Sequence, residues 1–355
     1  MTSVRILSAV EQVTDHLRDE IVSGALAGTM PGVGKLAKRL GVSPKTVIPS
    51  LAQLEQEGLV EHQGPRKRRR IVCRDSMGQR PMSVAILLYE PSDIQLPYLI
   101  KLQHGLMEAG HTAFCATKTL TELKMDATRV ERLVNQTNAD AWVVVAGSTE
   151  ILGYFSKKQI PVFALFGRRA SLPIASAGPN TAIAFTEATR HLISLGHRRI
   201  VRICRIERRK PRPGLTERSF LDELAAHNIP IGSFNLPDWE ETAKGLHALL
   251  VSLFEVTPPT ALMVDEAPIF FAVMQFIGSR GLQVPRDVSL VCGTYDPHFA
   301  WCVPSVAHLR WDSQPLLQRM LRWATSVSRG IRDQRFTIIP AEFVLGGTVG
   351  PAPAE

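Results

Sequence analysis

The sequence contains no CxxC pair: its five cysteines, Cys73, Cys115, Cys204, Cys292 and Cys302, are scattered, with no histidine at a metal-ligand spacing beside them. That scatter argues against a disulfide framework and a zinc site, and leaves reduced, mostly buried thiols as the expectation. Long apolar runs are missing too. No stretch approaches the ~20 uninterrupted apolar residues of a spanning helix, so no membrane partner is expected. The N-terminus, MTSVRILSAVEQVTDHLRDE, turns acidic before an apolar run of signal-peptide length develops, which points to a chain that stays in the cytoplasm. Also absent are GxGxxG, GxxxxGKS, GxxxxGKT, GxSxG and HExxH, and the ten histidines show no metal-ligand spacing. Without a phosphate cradle, an activated serine or a zinc helix, the expectation is a binding protein with no cofactor and no metal, not an enzyme.

What is present is length and an uneven charge. At 355 residues the chain exceeds one ordinary domain, and domains of ~100–200 residues imply two or three. The net charge is +8, and residues 1–74 hold 12 Lys/Arg against 7 Asp/Glu, leaving 29 against 26 for the remainder. A small basic module on a nearly neutral body is the footprint of nucleic-acid binding, because phosphate contacts supply most of that affinity.

Within the first seventy residues, Ile6, Val10, Val13, Leu17 and Ile21 fall on one helical stripe that ends near Ser23 and Gly24. A short second helix carrying Leu36, Ala37 and Leu40 breaks at Gly41. Ser43 as N-cap and Pro44 at the first position then open a third, which buries Val47, Leu51 and Leu54 and stops at Gly58. Two short helices across a glycine turn make a helix-turn-helix. Pro49 lacks an N–H and is expected to strain or kink the third helix. Leu59 to His62 alternates like a strand, turns at Gln63-Gly64-Pro65 and returns to Ile71-Val72 as a hairpin wing. Its five consecutive cations, Arg66, Lys67, Arg68, Arg69 and Arg70, are suited to phosphates or a minor groove.

This order of elements resembles the GntR-type winged helix, carried by IVSGALAGTMPGVGKLAKRLGVSPKTV, LEQEGLV and the wing. The resemblance implies double-stranded operator DNA as partner. Ser43, Lys45 and Thr46 would open the recognition helix, Gly64 would form the wing turn, and Lys35, Arg66, Lys67, Arg68 and Arg69 would add contacts. Where the family places arginines, this chain has Gly34, Pro44 and Ile48, so its usual guanine readout is missing.

Residues 74–82 read as a linker between a DNA-binding domain at 1–73 and a body at 83–355. In the body, strand-like runs (VAILLY, HTAFCA, AWVVVAG, PVFALFG, RIVRIC, ALMVD, SLVCG) alternate with helix-length segments. The fold class is therefore α/β, with parallel sheets covered by helices. TRHLISLGHRRIVRI, TERSFLDELAAHNI, PPTALMVDEA and GLQVPRDVSLVCGTYDPHFAWCVPSVAHL resemble, in order, the effector domain of LacI/GalR-type repressors. That family shares the two-lobed fold of periplasmic sugar-binding proteins.

Ligands of such sheets bind beyond the carboxyl ends of the strands. This rule selects Asp93, Ser148 and Arg168 from the first lobe, and Asp265, Glu266 and Asp296 from the second. The resemblance adds Arg218, and Trp301 and Trp311 flank the Asp296 loop, where either ring is suited to stack on a sugar. Carboxylates with a guanidinium suit a polyhydroxyl ligand, whose oxygens both donate and accept. The family's Asp-Asn pair is Pro179-Asn180 here, which removes one carboxylate. Together the two resemblances imply a cytoplasmic, homodimeric repressor of carbohydrate-related genes that responds to a small effector, a sugar. A solute binder or an enzyme on the same scaffold is the alternative. No LacI-type hinge helix is visible in the linker.

Overall fold

A computed structural model describes residues 8–22, 25–26, 28–64, 67–72, 80–167, 169 and 172–354. In the head, helix α1 (Ala9–Val22) buries Val13, Leu17 and Ile21 along one face, as side chains three and four apart must lie. Val10 is half-buried, and Ile6 lies outside the described residues. Helix α2 (Val33–Leu40) buries Leu36 and Ala37 and ends at Gly41, whose φ of +65° is the left-handed turn that a Cβ would resist. Helix α3 (Pro44–Gln56) buries Val47, Leu51 and Leu54 and is continuous through Pro49, which lies on its exposed side. Strands β1 (Val60–Glu61) and β2 (Arg70–Ile71) pair antiparallel with Val60 opposite Ile71, and Thr29 bridges to Arg70.

The first lobe is built from β3 (Ser83–Leu87), α4 (Pro97–Glu108), β4 (Thr112–Cys115), α5 (Ala127–Gln136), β5 (Ala141–Val145), α6 (Thr149–Lys157), β6 (Val162–Leu165) and β7 (Ala175–Asn180). Its strands run parallel in the order β4-β3-β5-β6-β7. Alternate residues serve opposite faces: Val84 and Ile86 join one apolar cluster, Ala85 and Leu87 another. The chain then enters the second lobe through α7 (Thr181–Ser194), β8 (Ile200–Ile203), α8 (Ile206–Arg209), α9 (Leu215–Ala226), α10 (Ala243–Val256), β9 (Ala261–Val264), α11 (Ala267–Ser279), β10 (Ser289–Cys292) and β11 (Ala307–Trp311). Here too two clusters cover the sheet, one holding Val201 and Ile203 and the other Ile200.

Helix α12 (Gln314–Ser328) returns to the first lobe, where Leu316, Met320 and Trp323 enter its core. Strand β12 (Phe336–Val344) belongs to both lobes. Its residues 336–340 run parallel to β7, and 341–344 run antiparallel to β11, making one ten-stranded sheet. The lobes are thus joined by three crossings: β7 to α7, β11 to α12, and β12 itself. This is the winged helix-turn-helix on a two-lobed α/β body expected from sequence. Among the described residues no helix is long and apolar enough to cross a membrane.

The head rests on the first lobe. Ile331, after α12, packs against the apolar core of the head, and Asp19 on α1 accepts from Arg335 Nη1 at 3.0 Å.

Candidate functional site

The strand ends of the two lobes face one another, and side chains meet between them. Arg205, just after β8, reaches Glu266 after β9 (Nη2–Oε2 2.7 Å) and Glu90 after β3 of the other lobe (3.1 Å). Glu241 stands 3.6 Å from its Nη1, and the guanidinium carbon lies 5.7 Å from the centre of the Tyr89 ring. The Tyr89 hydroxyl donates to Glu207 Oε2 at 2.9 Å, a second link between lobes. Carboxylates outnumber cations at this point. Burial, followed by the charges of Glu207 and Glu241, pushes the Tyr89 phenol up; burial, opposed by backbone hydrogen bonds and aided by Glu90, also raises Asp93.

Behind this bridge the second lobe holds a buried ion cluster. Arg202 on β8 is fully buried; its Nε and Nη2 donate to the two oxygens of Asp265 at 2.8 and 2.9 Å, and Nη2 also donates to Glu217 at 3.0 Å. Its fourth bond goes to the Thr216 carbonyl at 3.1 Å, and the Phe185 ring centre lies 3.6 Å from its guanidinium carbon. Such a charge survives burial only because every partner is present. Arg208 adds weaker pairing to Asp265 at 3.6 Å. Cys204, Glu217 and Asp265 are grouped closely enough to suggest a metal, but Arg202 already engages both carboxylates, and burial pushes the Cys204 thiol up and so keeps it protonated.

The residues picked from sequence therefore fall into different surroundings. Glu266 joins the bridge, whereas Asp265 is committed to Arg202. Asp93 caps its own turn, accepting from the amides of Tyr89 and Glu90 at 3.0 and 3.1 Å. Ser148 caps α6 by accepting from Ile151 N at 3.2 Å. Asp296 accepts from His298 N at 2.8 Å and pairs with its Nδ1 at 2.6 Å. Arg218 is exposed on α9, 3.4 Å from the Gly214 carbonyl, and Trp301 is 87% exposed. Arg168 lies outside the described residues.

Tyr89, Glu90, Arg205 and Glu207 were not singled out from sequence. Three half-buried aromatics form a further surface near the strand ends: Tyr98 at the start of α4, Phe166 after β6 and Trp311 ending β11, with ring centres 5.6–6.0 Å apart. A separate, mainly apolar cavity of about 250 Å³, lined by Phe155, Ile160, Trp323, Val327 and Ile331, sits beside the head and contains none of the residues expected to bind ligand.

On the head, the buried face of α3 turns its other side outward. Ser43, Lys45, Ile48 and Pro49 are exposed and Thr46 is half-buried, with Ser43 Oγ 3.1 Å from Thr46 Oγ1. The Ser50 hydroxyl pins the helix to α1 by donating to the Val10 carbonyl at 3.0 Å. Lys35, Lys67, Arg68 and Arg70 are also exposed, while Arg69 is half-buried and paired with Glu55 of α3. Gly64, at φ +107°, makes the wing turn, and Arg66 lies outside the described residues.

Comparison with known proteins assigns both parts. Residues 9–66 match the model of bacterial regulatory proteins of the gntR family, and residues 189–349 match that of the periplasmic binding protein-like domain. The chain joins a gntR-type helix-turn-helix to a periplasmic-binding-protein-like body. The arabinose metabolism transcriptional repressor of Geobacillus stearothermophilus is 23% identical over 297 residues, covering 78% of this chain and 80% of that protein. Among solved structures, a LacI family transcriptional regulator from Enterococcus faecium with bound ribose is 14% identical, with a TM-score of 0.58 over 76% of this chain and 99% of that one. A dimeric Lac repressor with an 11-residue C-terminal deletion is 17% identical, with a TM-score of 0.60 over 77% and 100%. At these identities the structures establish the fold. The gntR-type match spans α1 to α3 and the wing turn; the second spans most of the second lobe and all of β12.

Proposed function

We propose that this regulator is a homodimeric, cytoplasmic repressor of carbohydrate-related genes whose affinity for operator DNA changes when a sugar binds between its lobes. On this reading residues 1–73 are the DNA-binding domain, 74–82 the linker and 83–355 the effector domain. The observation that carries it is the attachment of an outward-facing gntR-type α3 to two lobes whose strand ends meet at Arg205 and Glu90. The arabinose repressor and the ribose-bound regulator support a sugar as the ligand class.

The chemistry of the cleft fits a polyol. Glu90, Glu266 and Arg205 offer acceptors and donors to hydroxyls, and Asp296, after β10, extends that set. Tyr98, Phe166 and Trp311 supply an apolar face for the carbon side of the ring. Trp301 takes another role. Like Val303 (96% exposed) and Leu345 (63%), it is a large apolar side chain left open to water, of the kind a partner covers, and the second copy of a homodimer is the occupant proposed. Ser43, Lys45, Thr46, Lys35 and the wing meet DNA.

The test is thermal unfolding of the full chain with arabinose, ribose, glucose and sugar acids, because a ligand at 100 times its Kd stabilises by about 2.7 kcal/mol. A sugar that raises the melting temperature and also shifts operator affinity supports the reading. Silence across the panel from a chain that still binds DNA would overturn the sugar assignment.

A further inference from the structure

We propose that cleft movement reaches the head through β12, and that the seam formed by Asp19, Ile331 and Arg335 is the element it switches. The inference rests on the reading of the chain as a ligand-responsive regulator and names its route of regulation. Arg335 is held on both sides. Asp333 accepts from its Nη2 at 2.9 Å and from its backbone N–H at 3.0 Å, and Arg319 grips the same carboxylate through two bonds of 2.9 Å. The Arg335 carbonyl accepts from Arg319 and from Ser176 N of β7, each at 3.0 Å. The free side of the guanidinium then donates to Asp19 on α1 at 3.0 Å, with Arg322 of α12 at 3.8 Å. Four residues earlier, half-buried Ile331 packs against the core of the head.

The residue after Arg335 is Phe336, the first of β12. That strand lies against β7 of the first lobe up to Pro340 and against β11 of the second from Ala341 onward. A change in lobe angle has to be absorbed at all three crossings, and at this one it falls within nine residues whose near end is the anchor of the head. β12 is thus a continuous, hydrogen-bonded path from the second lobe, across the first, to the residue that holds α1. The docked and released head supplies the two-state element that coupling between sites requires.

The experiment is hydrogen exchange of the full chain without ligand, read at the amides of α1. Asp19→Asn, which weakens the seam, and Arg205→Ala, which removes the ion pair between the lobes, are both expected to speed α1 exchange. Couplings of this kind give roughly 5-fold or more. Glu90→Gln replaces Arg205→Ala should the latter fold poorly. If Asp19→Asn leaves α1 at the wild-type rate, the seam is not a switch. If Arg205→Ala or Glu90→Gln speeds exchange around residues 203–209 but not in α1, the β12 route is overturned, whatever ligand the cleft takes.

Discussion

Arg205 of the second lobe donates to Glu90 of the first, Nη2 to Oε2 at 3.1 Å, so the two lobes meet through charge as well as through the three chain crossings. Both side chains keep partial access to water, and such a pair contributes about 0.2–1 kcal/mol and is screened by salt. Its leverage lies in lobe angle. Glu90→Gln is expected to change thermal stability little while enlarging the radius of gyration in X-ray scattering. An unchanged scattering profile would show that packing at the crossings alone sets the angle.

Arg202 presents the opposite case, since its guanidinium and both acidic partners are buried. Arg202→Met leaves Asp265 and Glu217 without their cation, with only the more distant Arg208 nearby. Breaking a buried pair on one side costs roughly 3–5 kcal/mol. Urea unfolding should show a loss of that size. A loss below about 1 kcal/mol would be that of an exposed surface pair, and the cluster would not count as buried.

Asp333 sets a limit on stability in acid. Burial alone would raise its pKa, but hydrogen bonds from Arg335 and the charges of Arg319 and Arg335 hold it down, to about 2. In the unfolded chain an aspartate titrates at about 3.9. Because the folded value is the lower, its stabilisation is complete above the unfolded pKa and disappears as pH falls toward 2. Wild type should therefore lose more stability than Asp333→Asn between pH 5 and pH 2, scales set by these two values. Parallel urea midpoints for the two proteins across that range would contradict it.

The helix-turn-helix was legible because its periodic residues are also its core: Val13, Leu17, Val47 and Leu51 are spaced for a helix and buried. The strands VAILLY, AWVVVAG and PVFALFG were legible as apolar runs, since a parallel strand covered on both faces has no polar side. The crossing strands were not. β7 reads ASAGPN, with a glycine, a proline and an asparagine that signal a turn, and β12 carries Pro340 and buries fully only Ile339. Both are strands because the sheet pairs them. The cleft was half legible for a related reason: strand ends can be read from sequence, but not whether a carboxylate there faces a ligand or a neighbour. Asp265 and Glu266 are adjacent, yet one is buried against Arg202 and the other joins the bridge between lobes. Arg205 follows directly on the strand-like run RIVRIC, but nothing in the sequence marks it as the cation that would reach across to the other lobe.

The two tryptophans named from sequence divide by exposure. Trp311 sits with Tyr98 and Phe166, and Trp301 projects beside Val303. Trp311→Ala should weaken sugar binding in calorimetry while leaving the dimer intact. Trp301→Glu should shift the chain toward monomer in analytical ultracentrifugation with sugar affinity unchanged. The reverse pattern would return Trp301 to the ligand site.

The wing cations are distinguishable by salt. Lys67 and Arg68 are exposed, so each is free to neutralise a phosphate, and each such contact contributes a slope of about 0.9 to the fall of log affinity with log salt. Lys67→Ala and Arg68→Ala should each flatten that slope by up to about this amount, similarly on operator and on unrelated DNA. Arg69 is held by Glu55 on α3. Arg69→Ala should loosen the wing against α3 and lower the stability of the head, while removing little from the salt slope. If Arg69→Ala flattens the slope as much as Arg68→Ala does, Arg69 must leave Glu55 on binding, and the wing then changes its packing when it meets DNA.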